Sequence, residues 1–235
     1  RHAFHYSYKR ESKFLQEKVK HFNDKDVLEI GSHAWVSWIK GNATPKSLDC
    51  INISEVELEK GISNAKNIPF EINFHLMDAN TLTFKDEMFD VVYGGAILHH
   101  LDIDKSSDQI ARVLKPGGKG VFRDVMKGNI FLQIFRIATP FWRTDDEHPL
   151  TLEDFALIRK KFISCNIESY IFSGLPYFFF ARIMNNVIFK KIGIRLRIPT
   201  TDSIYTNFDK LDKTIFSLFP FIRNKAWLCL ITLDN

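Results

Sequence analysis

Apolar residues in the first half of the chain fall into short runs separated by amphipathic stretches. Leu15, Val19 and Phe22 recur at helical spacing, while Val27 to Ile30 and Leu48 to Ile53 are compact runs of strand length. Ile72 to Met77, Asp90 to Tyr93 and Gly120 to Val125 predict three more strands, and Ile110, Ala111 and Leu114 share a helix face that Pro116 and Gly117 bring to an end. Strand and helix therefore alternate. That predicts an α/β fold, a Rossmann-like, doubly wound, mostly parallel sheet with helices on both faces. Ligands in such sheets bind where strand carboxyl ends meet helix amino ends, so the active site is expected along that edge.

Past Gly128 the period is lost. Asn129 to Trp142 is apolar on several sides, Thr144 to Pro149 is polar and turn-like, and Thr151-Leu152-Glu153-Asp154 has the form of a helix start with a capping threonine. Aromatic clusters follow, Tyr177-Phe178-Phe179-Phe180 and Phe216 to Ile222, and Ala226 to Leu233 predicts a closing strand beside an antiparallel partner. The whole reads as a parallel sheet with an antiparallel C-terminal strand and a helical, aromatic-rich insertion.

Composition supports this division, since nine of the 11 glycines lie at or before Gly128 and 14 of the 22 phenylalanines lie after it. At 235 residues, one elaborated domain is expected rather than two. The 32 basic and 28 acidic residues leave a charge of +4, too small and too dispersed to call for a nucleic-acid partner. Cys50, Cys165 and Cys229 lie far apart, which suggests neither a disulfide framework nor a zinc site and fits a reducing cytoplasm. Arg136 and Arg182 interrupt the two most apolar stretches before either reaches the roughly 18 residues of a membrane span. Residue 1 is Arg rather than Met, which leaves room for a removed targeting segment.

The chemistry lies in an ordered series of short motifs. Val27-Leu28-Glu29-Ile30-Gly31 is a strand ending in an acid, a spacer and a glycine, where a backbone can approach a ligand closely. Twenty-one residues on, Ile51-Asn52-Ile53-Ser54 ends the second strand, where nucleoside-binding sheets often carry an acid for the ribose hydroxyls. Met77-Asp78-Ala79 ends the third strand, Phe89-Asp90-Val91-Val92-Tyr93 forms the fourth, and Leu114-Lys115-Pro116-Gly117-Gly118 precedes the fifth. A dinucleotide fingerprint is excluded, because His33 and Val36 stand where it requires glycine.

In this order the motifs resemble the class I S-adenosylmethionine-dependent methyltransferases, in particular small-molecule members similar to the type 11 domain, over about Val27 to Asp124. The resemblance implies S-adenosyl-L-methionine as cofactor and a division into an N-terminal helix, read either as a lid or as packing against the sheet (1–24), a cofactor-binding core (25–126) and an acceptor-side elaboration with closing strands (127–235). It implies Glu29 and Gly31 beside the methionine part, Asn52 with Ile53 at the ribose, and Asp78 with Ala79 at the adenine. Gly94-Gly95-Ala96-Ile97-Leu98-His99-His100 looks like the family's loop beside the transferring methyl. Ser32 and His33 continue the cofactor loop. Two departures stand out, His33 and Trp35 where small residues are usual and Asn52 where an acid is usual.

A hydroxyl acceptor loses a proton during attack, and histidine is the side chain suited to take it near neutral pH. His99, His100 and His148 are the candidates, set against a structural role for the first two. Arg143-Thr144-Asp145-Asp146-Glu147-His148-Pro149 resembles a turn found in a subset of bacterial small-molecule methyltransferases, which implies Arg143 and Glu147 in an acceptor pocket rather than on a solvated turn. Arg123 and Asp124 close the fifth strand as acceptor contacts or as a salt-bridged pair, and Tyr6 belongs either to a lid or to packing against the sheet. His2, His5, His21 and His75 have no ligand-like spacing, and no metal is assigned. The expected function is methyl transfer to a small molecule, first to a hydroxyl oxygen of a sugar or secondary metabolite and next to a nitrogen or carbon, by a protein without stable membrane insertion. A non-catalytic scaffold of the same fold is the rival, an enzyme on lipid-linked acceptors at a membrane surface a third reading, and the phenylalanine-rich half serves as core, dimer surface or acceptor wall.

Overall fold

The computed structural model describes residues 22–31, 43–65, 68, 70–138, 147–184, 198–199 and 201–235. Seven strands form one sheet in the order β3-β2-β1-β4-β5-β7-β6, with β1 Asp26–Ile30, β2 Ser47–Asn52, β3 Glu71–Leu76, β4 Phe89–Gly95, β5 Leu114–Val125, β6 Ser164–Tyr170 and β7 Leu228–Asp234. β1 pairs in parallel with β2 and β4, β2 with β3, and β4 with β5. β7 runs the other way: Gly117 N–H reaches the Asn235 carbonyl at one end of β5, and Met126 N–H reaches Trp227 at the other. The parallel sheet with one reversed closing strand is therefore the architecture the sequence pattern predicts.

The order reverses between β1 and β4, and the central strands are the most apolar. Val27, Leu28, Leu48, Phe89 and Val92 have no exposed surface, as expected where helices cover both faces. Helix α1 (Glu55–Asn64) follows β2, capped by the Ser54 hydroxyl, and α2 (Ile103–Val113) follows β4, capped by Asp102 accepting from Lys105 N–H at 3.2 Å. Leu114, assigned by its periodicity to the helix face, instead opens β5. The strand then bulges, because Phe89 pairs with Leu114 while Val91 pairs with Lys119. Pro116 removes a ladder donor and Gly117 adopts a φ of +75°, so the residues that end the helix also make the bulge.

The chain divides into two compact units. One holds Lys13–Val125, Thr144–Glu168 and Cys229–Asn235, and the other Arg1–Ser12, Met126–Arg143 and Ser169–Leu228. In the first, α4 (Leu152–Lys161) starts as predicted at Thr151, whose hydroxyl accepts from Asp154 N–H while the Asp154 carboxylate accepts from Thr151 N–H. In the second lie α3 (Ile130–Ala138), α5 (Leu175–Ile183), α6 (Asp202–Leu218) and a 3-10 turn, Pro220–Lys225. There Phe178 stacks on Tyr205 at 3.9 Å, and buried Asp212 accepts from the N–H groups of Phe172 and Ser173, both at 2.9 Å. The aromatic clusters are only partly core. Phe178 and Phe216 are buried, but Phe180, Phe219 and Phe221 are exposed.

At the amino-terminal edge of the sheet, Lys115 joins β1 to β4 by donating to Asp26 at 2.9 Å and to Asp90 at 3.0 Å. Burial alone raises both carboxyls, but hydrogen bonds outweigh it and hold both below their ordinary value; for Asp26 these come from Lys115 and Ser47, for Asp90 from Asp26 N–H and Lys115. Lys115 is raised in turn, the two carboxylates outweighing its own burial. Depressed acids stabilise the fold above their ordinary value of 3.8 and lose that effect as pH falls through the folded value. A raised lysine does so below 10.5 and loses it as pH climbs through its folded value. Lys115→Met is therefore expected to cost about 1 kcal/mol at neutral pH after solvent screening, shown by urea unfolding, with the difference from wild type shrinking in acid. A cavity of about 530 Å³ opens on this same edge, lined by Asp90, Lys115, Gly117, Lys119 and Thr232 among others. It is remote from the strand carboxyl ends where the motifs converge.

Candidate functional site

The site is built where β1, β2, β3, β4 and β5 end. Gly31 leaves β1 at a φ of +73°, a backbone geometry that side chains disfavour. A Cβ there would stand 2.7 Å from Ile97 Cδ1, so glycine is required by conformation and by space. Gly94 is constrained by space alone, with Ile97 Cγ2 at 2.7 Å and Phe122 at 2.9 Å from a hypothetical Cβ. Ile97 thus keys the loop after β4 against the end of β1. Ala96, just before it, sits at a φ of 57° while its N–H donates to the Arg123 carbonyl at 2.7 Å, strain concentrated at the loop that faces the crevice.

Glu29 is buried one residue inside the end of β1, with the Cys50 thiol donating to Oε2 at 3.6 Å. At the end of β2, Asn52 Oδ1 accepts from Ser54 N–H at 2.9 Å, which sets the turn into α1. Ile53 beside it is 76% exposed, an apolar surface at the mouth of the crevice. Past β3, the exposed Asp78 accepts from Asn80 N–H at 2.8 Å, Ala79 is buried, and Asn80 Oδ1 accepts from Asp102 N–H at 3.1 Å, tying the β3 loop to the start of α2. Glu29, Gly31, Asn52, Ile53, Asp78, Ala79 and Gly94 all therefore lie at or next to strand ends on the expected edge. Ser32, His33, Trp35, Tyr6 and Arg143 lie outside the described residues.

Asp124 has no exposed surface. Its Oδ2 accepts from Leu98 N–H at 2.7 Å, and its Oδ1 accepts from His99 Nδ1 at 2.6 Å and from Val125 N–H at 2.7 Å. With the proton on Nδ1, the Nε2 lone pair of His99 faces Glu147, whose Oε1 is 3.7 Å away. The ring of His100 lies beside that of His99, centroids 4.1 Å apart. Glu147 arrives from the polar segment after β5, which is pinned where His148 N–H donates to the His99 carbonyl at 2.7 Å and Leu150 N–H to the Val125 carbonyl at 2.9 Å.

Of the three candidate bases, His99 is buried and fixed, His100 is half-buried beside it, and the His148 side chain is exposed. Asp124 reaches no acceptor directly, because His99 stands over it; its geometry is that of a carboxylate orienting an imidazole, a relation the adjacency of Arg123 and Asp124 in sequence does not reveal. Arg123 is half-buried, its Nη2 3.9 Å from where a Gly95 Cβ would stand. All three cysteines are free thiols. Burial raises Cys229 well above its ordinary value, which keeps it protonated and unreactive.

Residues 28–122 match the methyltransferase domain family. A methyltransferase, GfsG from Streptomyces halstedii, is 26% identical over 118 residues, 48% of this chain and 42% of that protein. The chain thus spans less than half the length of this curated relative. Among solved structures, phosphoethanolamine N-methyltransferase 2 of Haemonchus contortus with bound S-adenosyl-L-methionine superposes with a TM-score of 0.61 at 17% identity, covering 96% of this chain and 52% of that one. The (4+2)-cyclase SpnF gives 0.62 at 15% identity, covering 96% and 80%.

Proposed function

We propose, from the match of residues 28–122 to the methyltransferase domain family, that the chain is a class I S-adenosylmethionine-dependent methyltransferase and transfers the cofactor's methyl group to an oxygen of a small-molecule acceptor. The observation that carries this reading is the packing of Ile97 against Gly31, which brings the turn after β1 and the loop holding His99 together at the carboxyl edge of the sheet. The residues present fit the cofactor. Gly31 turns the chain without a side chain at the end of β1, where the backbone would meet an amino-acid tail, the Asn52 amide is an acceptor and donor for ribose hydroxyls, exposed Ile53 offers an apolar face for a purine, and Asp78 would accept from an exocyclic amine.

Bound S-adenosylmethionine supplies an already activated methyl, so the protein's main contribution is orientation. His99, held by Asp124, presents Nε2 to the acceptor; His100 and Glu147 form the polar wall beside it, with His148 and Arg123 at the rim. A cytoplasmic setting fits the three free thiols, and no helix among the described residues is long and apolar enough to cross a membrane.

Calorimetry with S-adenosylhomocysteine tests the reading, and absence of heat at millimolar ligand rejects it. A sharper result is expected from Asn52→Asp. Both side chains accept from Ser54 N–H, but the acid also offers charge to two ribose hydroxyls, so binding should tighten up to about tenfold. Unchanged affinity would remove Asn52 from the ribose.

A further inference from the structure

The fold brings together three side chains that their order in the sequence does not mark as a set. One nitrogen of His99, one of His100 and one carboxylate oxygen of Glu147 all lie within 4.8 Å of one another. We propose that His99, His100 and Glu147 bind a divalent transition-metal ion, with Zn2+ as the best match, at the acceptor side of the crevice. Sequence spacing does not mark the set, because the carboxylate comes 47 residues after the second imidazole.

Three features favour a cation over a mere polar cluster. The 3.7 Å between His99 Nε2 and Glu147 Oε1 is too long for a hydrogen bond, yet two ligands each about 2.0–2.2 Å from one ion span that separation at an angle near 120°. His99 is set up as a ligand: Asp124, fully buried, accepts a hydrogen bond from Nδ1–H and turns Nε2 outward, the carboxylate–histidine arrangement that orients metal-bound imidazoles. His100 and Glu147 are half-buried and stand beside the buried His99, all three candidate ligand atoms within 4.8 Å of one another.

Two imidazoles and one carboxylate are borderline donors, suited to Zn2+, Co2+ or Fe2+ and poorly suited to Mg2+ or Ca2+, which prefer oxygen alone. Three protein ligands leave at least one open position. That position fits an acceptor offering an oxygen donor, which the ion orients and whose hydroxyl it acidifies; with the ion bound, His99 Nε2 is a ligand rather than the base, and the acceptor's proton passes to solvent. Binding of the ion rests on these three residues alone; its use on an acceptor rests on the methyltransferase reading.

The test uses the full chain stripped of metal by chelator and titrated with Co2+, whose visible spectrum reports imidazole and carboxylate ligation, followed by displacement with Zn2+. One equivalent is expected to bind, tightly enough to saturate at micromolar metal. His99→Ala and Glu147→Gln are each expected to weaken binding by about 100-fold, and Asp124→Asn, acting through His99, by about 10- to 100-fold. His75→Ala should change nothing, since His75 is engaged by Asp49 at 2.7 Å. Circular dichroism establishes that each variant is folded, and His100→Ala serves if His99→Ala is not. No stoichiometric uptake, or equal uptake by wild type and Glu147→Gln, means adventitious metal only and overturns the site. S-adenosylhomocysteine calorimetry on the same metal-free protein separates the two readings: cofactor binding without Co2+ uptake removes the ion and leaves the methyltransferase, while the reverse removes the methyltransferase.

Discussion

Gly31→Ala is expected to weaken S-adenosylhomocysteine binding by about 100-fold while the protein remains folded. Two independent costs combine. An alanine at a φ of +73° is strained by roughly 1–2 kcal/mol, and its Cβ would stand 2.7 Å from Ile97 Cδ1 and 2.9 Å from Cγ1, well inside contact distance. The loop relieves both by leaving the geometry that holds the ligand. A total near 3 kcal/mol spent this way is about two decades of affinity. The two costs can be separated. Ile97→Ala added to Gly31→Ala removes the clash and leaves the dihedral strain, so the double variant should recover roughly half of the lost free energy. Calorimetry that finds Gly31→Ala within threefold of wild type would show that the end of β1 is not part of the cofactor cradle.

Strand-forming runs with β-branched cores were legible in the sequence because their period and their burial coincide: all five predicted parallel strands appear, each within a residue or two except for β5, which starts six residues early. The start of α4 was legible because Thr151 and Asp154 make a reciprocal cap that needs no tertiary context. β6 was not. Its pattern in Ser164–Tyr170 alternates partly buried and exposed positions filled by Cys, Ile and Ser, too weakly apolar to separate from a loop until β7 pairs with it. Helix α6 was missed for a related reason, since its buried residues Tyr205, Asp212 and Phe216 include an acid whose burial makes sense only once the Phe172 and Ser173 N–H groups are in place. At the site, single strand ends announced themselves through Gly31, Asn52 and Asp78. The pairing of His99 with Asp124 did not, because it joins residues 25 apart through a sheet register that local pattern cannot supply.

That pairing carries the largest expected effect on stability. Asp124→Ala should cost about 3–5 kcal/mol, the usual penalty for removing one partner of a buried charged network. The side chain is wholly buried and accepts from three donors, Leu98 N–H, His99 Nδ1 and Val125 N–H, within 2.7 Å. Deleting it leaves those donors without their carboxylate partner, at roughly 1–3 kcal/mol for each that finds no substitute. Asp124→Asn preserves the volume but does not rescue. If its amide nitrogen faces Leu98, donor meets donor. If it faces His99, the imidazole can shift its proton to Nε2, but Val125 N–H still points at the same nitrogen. Every orientation leaves a conflict, so Asn should recover no more than about half the loss. In urea unfolding both variants should lower the midpoint with the slope unchanged. A His99→Ala, Asp124→Ala double variant should cost less than the sum of the two single variants, because the same interaction is removed by each. Additivity, or a loss below 1 kcal/mol in Asp124→Ala alone, would mean that the carboxylate neither anchors the loop after β4 nor fixes the imidazole on which the acceptor side depends.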